Sequence, residues 1–157
     1  MKLKRSEVME LDNVFKSLME MKLEPTTAFK IASNSILSSE LADKVRKSYK
    51  PVDGHEEVEK LRSEFLKDLG ATHNPAGGFT IPAELAYTVG AQIDKFNKEH
   101  ADVLEAQREY DEKFKRVLDH EVEIEFEKIK LEELTVEIEP GKLVRMIKTG
   151  IITNGSK

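Results

Sequence analysis

Apolar and polar positions follow distinct rhythms along this chain, and each rhythm marks a kind of element. Val8, Leu11, Phe15, Leu18 and Met19 fall three and four apart, the spacing of one face of a helix. Ser6 is placed to cap that helix. Leu23-Glu24-Pro25 ends it, because the residue before a proline is pushed out of helical geometry. Thr26 or Thr27 then caps a second helix, with Phe29, Ile31, Ala32, Ile36, Leu37, Leu41 and Val45 as its apolar side. The short connection predicts an antiparallel helical hairpin. Tyr49-Lys50-Pro51-Val52-Asp53-Gly54 interrupts the pattern, and Asp53 with Glu56 has the outline of a capping box. Val58, Leu61, Phe65, Leu66 and Leu69 mark a third helix, stopped by Gly70.

Residues 71–79 read as a flexible loop, rich in glycine and bearing Pro75. From Thr80 to Asp119 the rhythm is that of one long, coiled-coil-like helix, with Thr80 and Pro82 in the positions a cap and an early-turn proline prefer. After Leu85, its seam is Val89, Ile93, Phe96, His100, Val103, Gln107, Tyr110, Phe114 and Val117, a heptad pattern sustained for about four repeats. Such a helix would span roughly 57 Å at 1.5 Å per residue. A compact domain of this length has a radius of gyration of only about 15 Å. The helix is therefore expected to project or to pair, with a break at Gly90, its weakest point, as the alternative. A stripe of this kind predicts packing on the N-terminal hairpin or on another subunit, and self-association follows from the second case. The polar seam residues His100 and Gln107 would then set register or choice of partner.

At residue 120 the period drops to two. In His120-Glu121-Val122-Glu123-Ile124-Glu125-Phe126-Glu127, apolar and acidic residues alternate strictly, as on a half-buried strand. Ile129 and Leu131 continue it after a phase slip at Lys128, and Val136 with Ile138 suggests a second short strand. Leu143, Val144, Met146 and Ile147 fit a short final helix closed by Gly150, with Asn154–Lys157 as a frayed tail. The fold class is thus α+β, mainly α: an N-terminal helical hairpin, a third helix, the long helix, a C-terminal two-stranded antiparallel element and a final helix. The expected organisation is a single domain over 1–157: a helical part (1–70), the loop (71–79), the long helix (80–119) and the β element with its tail (120–157).

Composition narrows the chemistry. Of the 157 residues, 39% are hydrophobic, enough for a core, and 35% are charged, which suits helices with solvated faces. A net charge of −5 disfavours direct nucleic-acid binding through bulk electrostatics. Without cysteine there are neither disulfides nor thiolate metal sites. No signal-peptide pattern and no apolar run of membrane-spanning length occurs, so the expectation is a soluble, intracellular protein with no membrane contact.

His55, His73, His100 and His120 share no ligand spacing, so no metal site and no cofactor is expected. The phosphate-cradling glycine patterns are also missing. The acidic face Glu121, Glu123, Glu125 and Glu127 could suggest paired catalytic carboxylates. Members of one exposed row share one environment, however, whereas acid–base pairs need contrasting ones. The row reads better as a solvated edge, or as an interface for a basic partner. Strand alternation would also place His120 on the opposite face from Glu121 and Glu123. Ser33, Ser35, Ser38 and Ser39 read as small residues that let helices approach. No catalytic residue is singled out.

Several segments carry a resemblance: Met1-Lys2-Leu3-Lys4-Arg5-Ser6-Glu7-Val8, Ala28-Phe29-Lys30-Ile31-Ala32-Ser33-Asn34, Phe96-Asn97-Lys98-Glu99 leading into Val122-Glu123-Ile124, and Lys128-Ile129-Lys130-Leu131-Glu132-Glu133-Leu134. Over nearly the whole chain they resemble a family of small proteins of unknown function from tailed bacteriophages and prophages of Gram-positive bacteria. The loop at 71–78 and the ending Ile151-Ile152-Thr153 depart from that pattern. The resemblance implies a viral protein made in the host bacterial cytoplasm, and carries no functional residues across. Together with the seam and the acidic row, it leads to the expectation of a non-enzymatic phage protein acting by protein–protein contact. As an accessory factor it would bind and inhibit a host defence or transcription component. The alternatives are a virion component or assembly chaperone, and a carboxylate-dependent hydrolase or nuclease using His120.

Overall fold

The computed structural model describes residues 1–74 and 78–153. In chain order the elements are β1 (Lys2–Lys4), α1 (Arg5–Met19), α2 (Pro25–Ser48), α3 (His55–Asp68), β2 (Thr72–His73), β3 (Phe79–Thr80), α4 (Ala86–Glu99), α5 (Ala101–Asp119), β4 (Glu121–Glu123), β5 (Ile129–Lys130), α6 (Pro140–Lys148) and β6 (Ile152–Thr153). The class is α+β, mainly α, with small two-stranded sheets. The chain forms two compact units: Met1–Tyr49 with Lys115–Lys157, and Lys50–Phe114.

The first unit is built on α1 and α2. Val8, Leu11, Val14, Phe15 and Leu18 of α1 are buried, and Ile31 of α2 joins them in one cluster with Leu3, Phe126, Ile129, Met146, Ile151 and Ile152. Met19, expected on the stripe, is exposed, and Val14 is buried in its stead. Lys4 rather than Ser6 stands at the N-cap of α1, where its backbone N–H donates to the Glu7 carboxylate at 2.7 Å. Pro25 opens α2 at the first helical position, where its missing N–H costs nothing, so Glu24 rather than Thr26 or Thr27 is the cap residue.

The buried face of α2 is more polar than its hydrophobic pattern predicts. Thr27, Asn34, Ser35 and Ser38 are buried beside Ile31, Ala42 and Val45, while Phe29 and Ile36 are each 70% exposed. Thr27 Oγ1 donates to the Glu133 carbonyl at 3.1 Å, Asn34 bonds the Glu127 backbone, and Ser38 Oγ donates to the Ser35 carbonyl of its own helix. Asp12 of α1 is fully buried and accepts from Lys16 Nζ and Arg46 Nη2, both at 2.8 Å, and from Ser39 Oγ. Burial raises that carboxyl, but the hydrogen bonds from Lys16, Ser39 and Arg46 outweigh it and hold Asp12 below the ordinary aspartate range. A buried charge with three donors is tolerable, whereas the same charge stripped of them is not.

The final segment enters the core through a turn. Gly150, at φ +67°, follows α6, and Ile151 N–H reaches back to the Met146 carbonyl at 3.0 Å, a Schellman motif. That turn delivers Ile151 and Ile152 into the core, where β6 pairs in parallel with β5, Ile129 opposite Ile152. A parallel pair needs a crossover, and α6 supplies it. Val136 and Ile138 form no strand; of the expected two-stranded C-terminal element, β4 pairs antiparallel with β1 and β5 pairs in parallel with β6. The expected frayed tail 154–157 lies outside the described residues.

In the second unit, α3 ends in the same motif. Gly70 has φ +81° and Ala71 N–H donates to the Leu66 carbonyl at 3.0 Å. Gly54, rather than Asp53, occupies the N-cap of α3, so the expected capping box is not formed. The described ends of the expected loop are paired as strands, Thr72 with Thr80 and His73 with Phe79, while residues 75–77 lie outside the described set.

The expected long helix is two helices. Thr80 lies in β3, Pro82 precedes a three-ten turn at Ala83–Leu85, and α4 and α5 are separated at His100, whose φ −113° and ψ 20° leave the helical region. Gly90 stays helical inside α4. Propensity points to the weakest residue, but packing sets the bend. Phe96 is stacked on Phe65 of α3 with ring centroids 5.2 Å apart, and the His100 ring lies 4.5 Å from Phe96.

Measurable consequences follow from these contacts. Asp12→Ala should lower unfolding free energy by about 3 kcal/mol, as expected for breaking a buried ion pair. The folded pKa of Asp12 is depressed, so its stabilisation is full above about pH 4 and is lost as pH falls through the folded value. The melting temperature of Asp12→Asn should therefore fall less than that of the parent chain below pH 4 (approximately the unfolded aspartate value). Gly90→Ala should stabilise by about 0.5–1 kcal/mol in urea unfolding, since the added methyl meets nothing within 4 Å. A loss of stability there would contradict a helical Gly90.

Candidate functional site

The predicted seam is where the second unit holds itself together. Val89, Phe96 and Gln107 are buried, and Ile93, His100, Val103, Tyr110 and Phe114 are half-buried. Its observed neighbours are α3 and the 50–54 segment. Gln107 Oε1 accepts from Val52 N–H at 2.9 Å and its Nε2 donates to Asp111 at 2.7 Å; Tyr110 Oη accepts from Lys50 N–H at 2.9 Å. A Cβ built on Gly54 would lie 3.8 Å from Val103. Gln107 thus registers contacts within the chain. Val117, the last seam residue, belongs to the first unit, where its carbonyl accepts from Arg5 Nη1 at 3.5 Å.

The acidic row divides. Glu121 and Glu123 lie on β4, while Glu125 and Glu127 lie beyond the ladder, and all four are exposed. Val122 and Ile124 are half-buried and Phe126 is buried, so the two-residue period persists through Phe126. The expected phase slip is present, with Glu127 and Lys128 both exposed before buried Ile129. The partner of β4 is β1: Lys2 faces Glu123, Leu3 faces Val122 and Lys4 faces Glu121, antiparallel. Each glutamate of β4 therefore stands opposite a lysine. Lys4 also bonds Asp119 at 2.8 Å, and its ammonium titrates above the ordinary range because of that hydrogen bond and charge, with Glu7 and Glu121 adding to it.

Hydrogen bonds on either side of the ladder decide which edge is open. Met1 and Ile124 exchange backbone bonds at 2.8 and 3.0 Å, and Arg5 N–H donates to the His120 carbonyl at 3.0 Å. Antiparallel pairs alternate in bonding, so the backbone groups of His120, Val122 and Ile124 face β1. Those of Glu121, Glu123 and Glu125 face the other way. At Glu127 that outward side meets α2: Asn34 Nδ2 donates to the Glu127 carbonyl at 3.0 Å and Glu127 N–H donates to Asn34 Oδ1 at 2.7 Å. A buried side-chain amide thus makes the pair of bonds a neighbouring strand would make. No described residue bonds the outward backbone groups of Glu121, Glu123 or Glu125.

Beside this edge runs a groove of about 420 Å³, lined by Leu37, Glu40, Leu41 and Lys44 of α2 and by Val122, Glu123 and Ile124. Leu41, Val122 and Ile124 pack on the core cluster, so the floor is apolar and supported. Glu40 and Lys44 pair with each other at 2.7 Å on the rim. A second depression, of about 680 Å³, is lined by Lys2, Arg116, Asp119, His120, Glu121, Val122 and Glu123. His120 lines it together with Val122 as well as with the two glutamates, so this depression takes in residues from both faces of the strand. Among the described residues no cluster of three or more histidine, aspartate or glutamate side chains is arranged to hold a metal, and no helix is long and apolar enough to cross a membrane.

No family model, curated protein or solved structure matches this chain. The site stands on its own geometry: a strand edge whose outward backbone groups no described residue bonds, an apolar groove alongside it, and an amide plug at one end. Periodicity located β4 and its glutamates. It missed Asn34, Leu37 and Leu41 as the opposite wall, although a lone asparagine among the apolar positions of α2 was a signal of a buried polar contact.

The plug is testable. Asn34→Ala should cost about 2 kcal/mol, because two hydrogen bonds go and the Glu127 groups they served lose their partners. Hydrogen exchange at the Glu127 amide should accelerate, while exchange at Val122, bonded to β1, should stay within about the uniform change set by global stability.

Proposed function

We propose that this chain is a protein-binding component that works without catalysis, taking an extended segment of another protein along the open edge of β4. The supporting observation is the run of outward backbone groups at Glu121, Glu123 and Glu125 beside the α2 groove, which no described residue bonds. An unpaired edge supplies main-chain hydrogen bonds to an added strand, and a neighbouring groove takes alternate side chains. Pairs of charges that oppose each other across β1 and β4 discourage indiscriminate edge pairing without blocking it.

On this reading the partner belongs to the bacterial host or to the phage itself, which is what the resemblance to phage proteins implies. An accessory factor that occupies and inhibits a host defence or transcription component fits a module whose working part is a docking groove. A virion component or assembly chaperone would use the same surface, and mass spectrometry of purified particles separates the two roles.

Selection of a random linear peptide library on the purified chain tests the reading. The selected peptides should slow exchange of the Glu121 and Glu123 amides, and Glu123→Pro should abolish their binding. That substitution removes an outward N–H while leaving the bonds to β1 in place. Binders that protect only other segments, or that ignore Glu123→Pro, would overturn it.

A further inference from the structure

We infer that the segment the groove takes up is a short strand of basic–apolar–basic pattern, a counterpart of β1 on the other side of β4. This rests on the reading of the edge given above and adds the chemistry of its occupant.

β1 shows what β4 accepts as a neighbour. Lys2-Leu3-Lys4 sets two lysines opposite Glu123 and Glu121, and turns Leu3, only 7% exposed, into the core. A strand added on the open side meets the same two faces. Its residues opposite Glu121 and Glu123 share the exposed face with those carboxylates, and with Glu125 beyond them. Its alternate residues point toward the side of Val122 and Ile124, where Leu37 and Leu41 complete an apolar wall. Opposite charges directly across a strand pair are favourable and like charges are not. The rim pair Glu40–Lys44 is internally balanced, and across β1 Lys4 bonds Asp119 while no described ion pair ties Lys2 or Lys4 to Glu123 or Glu121, so the glutamates of the edge set the preference. From Glu121 to Glu125 the edge spans roughly 13 Å, the reach of about five extended residues.

A second copy of this chain is a poor occupant. Two β4 edges placed side by side would oppose glutamate to glutamate. The outer edge of β1 offers no alternative, because the outward N–H of Lys4 already donates to Glu7 and the chain turns into α1 at Arg5. The occupant is therefore an extended, basic segment of a different protein.

Fluorescence anisotropy with nine-residue peptides on the full chain tests this. One probe alternates lysine and valine, a second alternates threonine and valine, and a third is the lysine probe with N-methyl groups on one edge. The lysine probe should bind about tenfold more tightly than the threonine probe, as two or three opposite-charge cross-strand pairs would give. It should slow exchange at the Glu121 and Glu123 amides, and N-methylation should abolish its binding. In the double variant Glu121→Gln, Glu123→Gln, both of whose side chains are exposed, the preference should shrink to about twofold.

Equal binding of the threonine probe, with the same amides protected, would overturn the basic pattern while leaving the edge as a docking site. Binding of the lysine probe that survives N-methylation, or that protects other segments, would overturn the edge reading as well. If no probe binds at millimolar concentration, the proposed occupant is wrong.

Discussion

The pairing of β1 with β4 is the constraint on which the first unit depends. A strand of three residues has little stability of its own, and it persists here because Leu3 is carried into a core already built by α1 and α2. Once β1 occupies one side of β4, the geometry of an antiparallel ladder decides everything about the other. Alternate backbone groups must turn outward, and they need a partner, water or a side chain.

The protein meets that need in part. Asn34 answers for Glu127 and closes the edge at its far end. At Glu121, Glu123 and Glu125 no described residue bonds the edge, which lies beside a groove whose floor is continuous with the core. Support of this kind matters for a binding surface, because an edge anchored by core packing is pre-shaped and loses less entropy when a segment docks on it. The same logic explains why α2 turns serines, an asparagine and a threonine inward while Phe29 and Ile36 stay exposed. Specific polar contacts to Asp12, Glu127 and Glu133 fix its rotation more strongly than its weakly segregated hydrophobic residues can.

The second unit has a different logic. Part of its seam meets α3 and the 50–54 segment, so a stripe that resembles a coiled coil in sequence makes contacts inside the chain. A heptad pattern states that a helix has one packing face. It does not state whether the face meets a second helix, a loop or another molecule. Gln107 illustrates this, because a polar residue at such a position could select a partner, and here it holds the Val52 amide.

What the sequence determined by itself was local: the helical periods of α1, α3, α4, α5 and α6, the stops at Gly70 and Gly150, the alternation from Glu121 to Phe126 and the slip at Lys128. Each depends on residues within a turn or two of one another, and periodicity records them directly. Tertiary structure decided the rest. The partner of β4 lies more than a hundred positions away, in a three-residue strand too short to announce itself. The bend at His100 follows from where Phe96 meets Phe65 rather than from the weakness of Gly90. The candidate site was legible only as a row of glutamates. That it is an edge, with lysines on one side and an open groove on the other, depends on which strand is adjacent, and adjacency is a property of the fold.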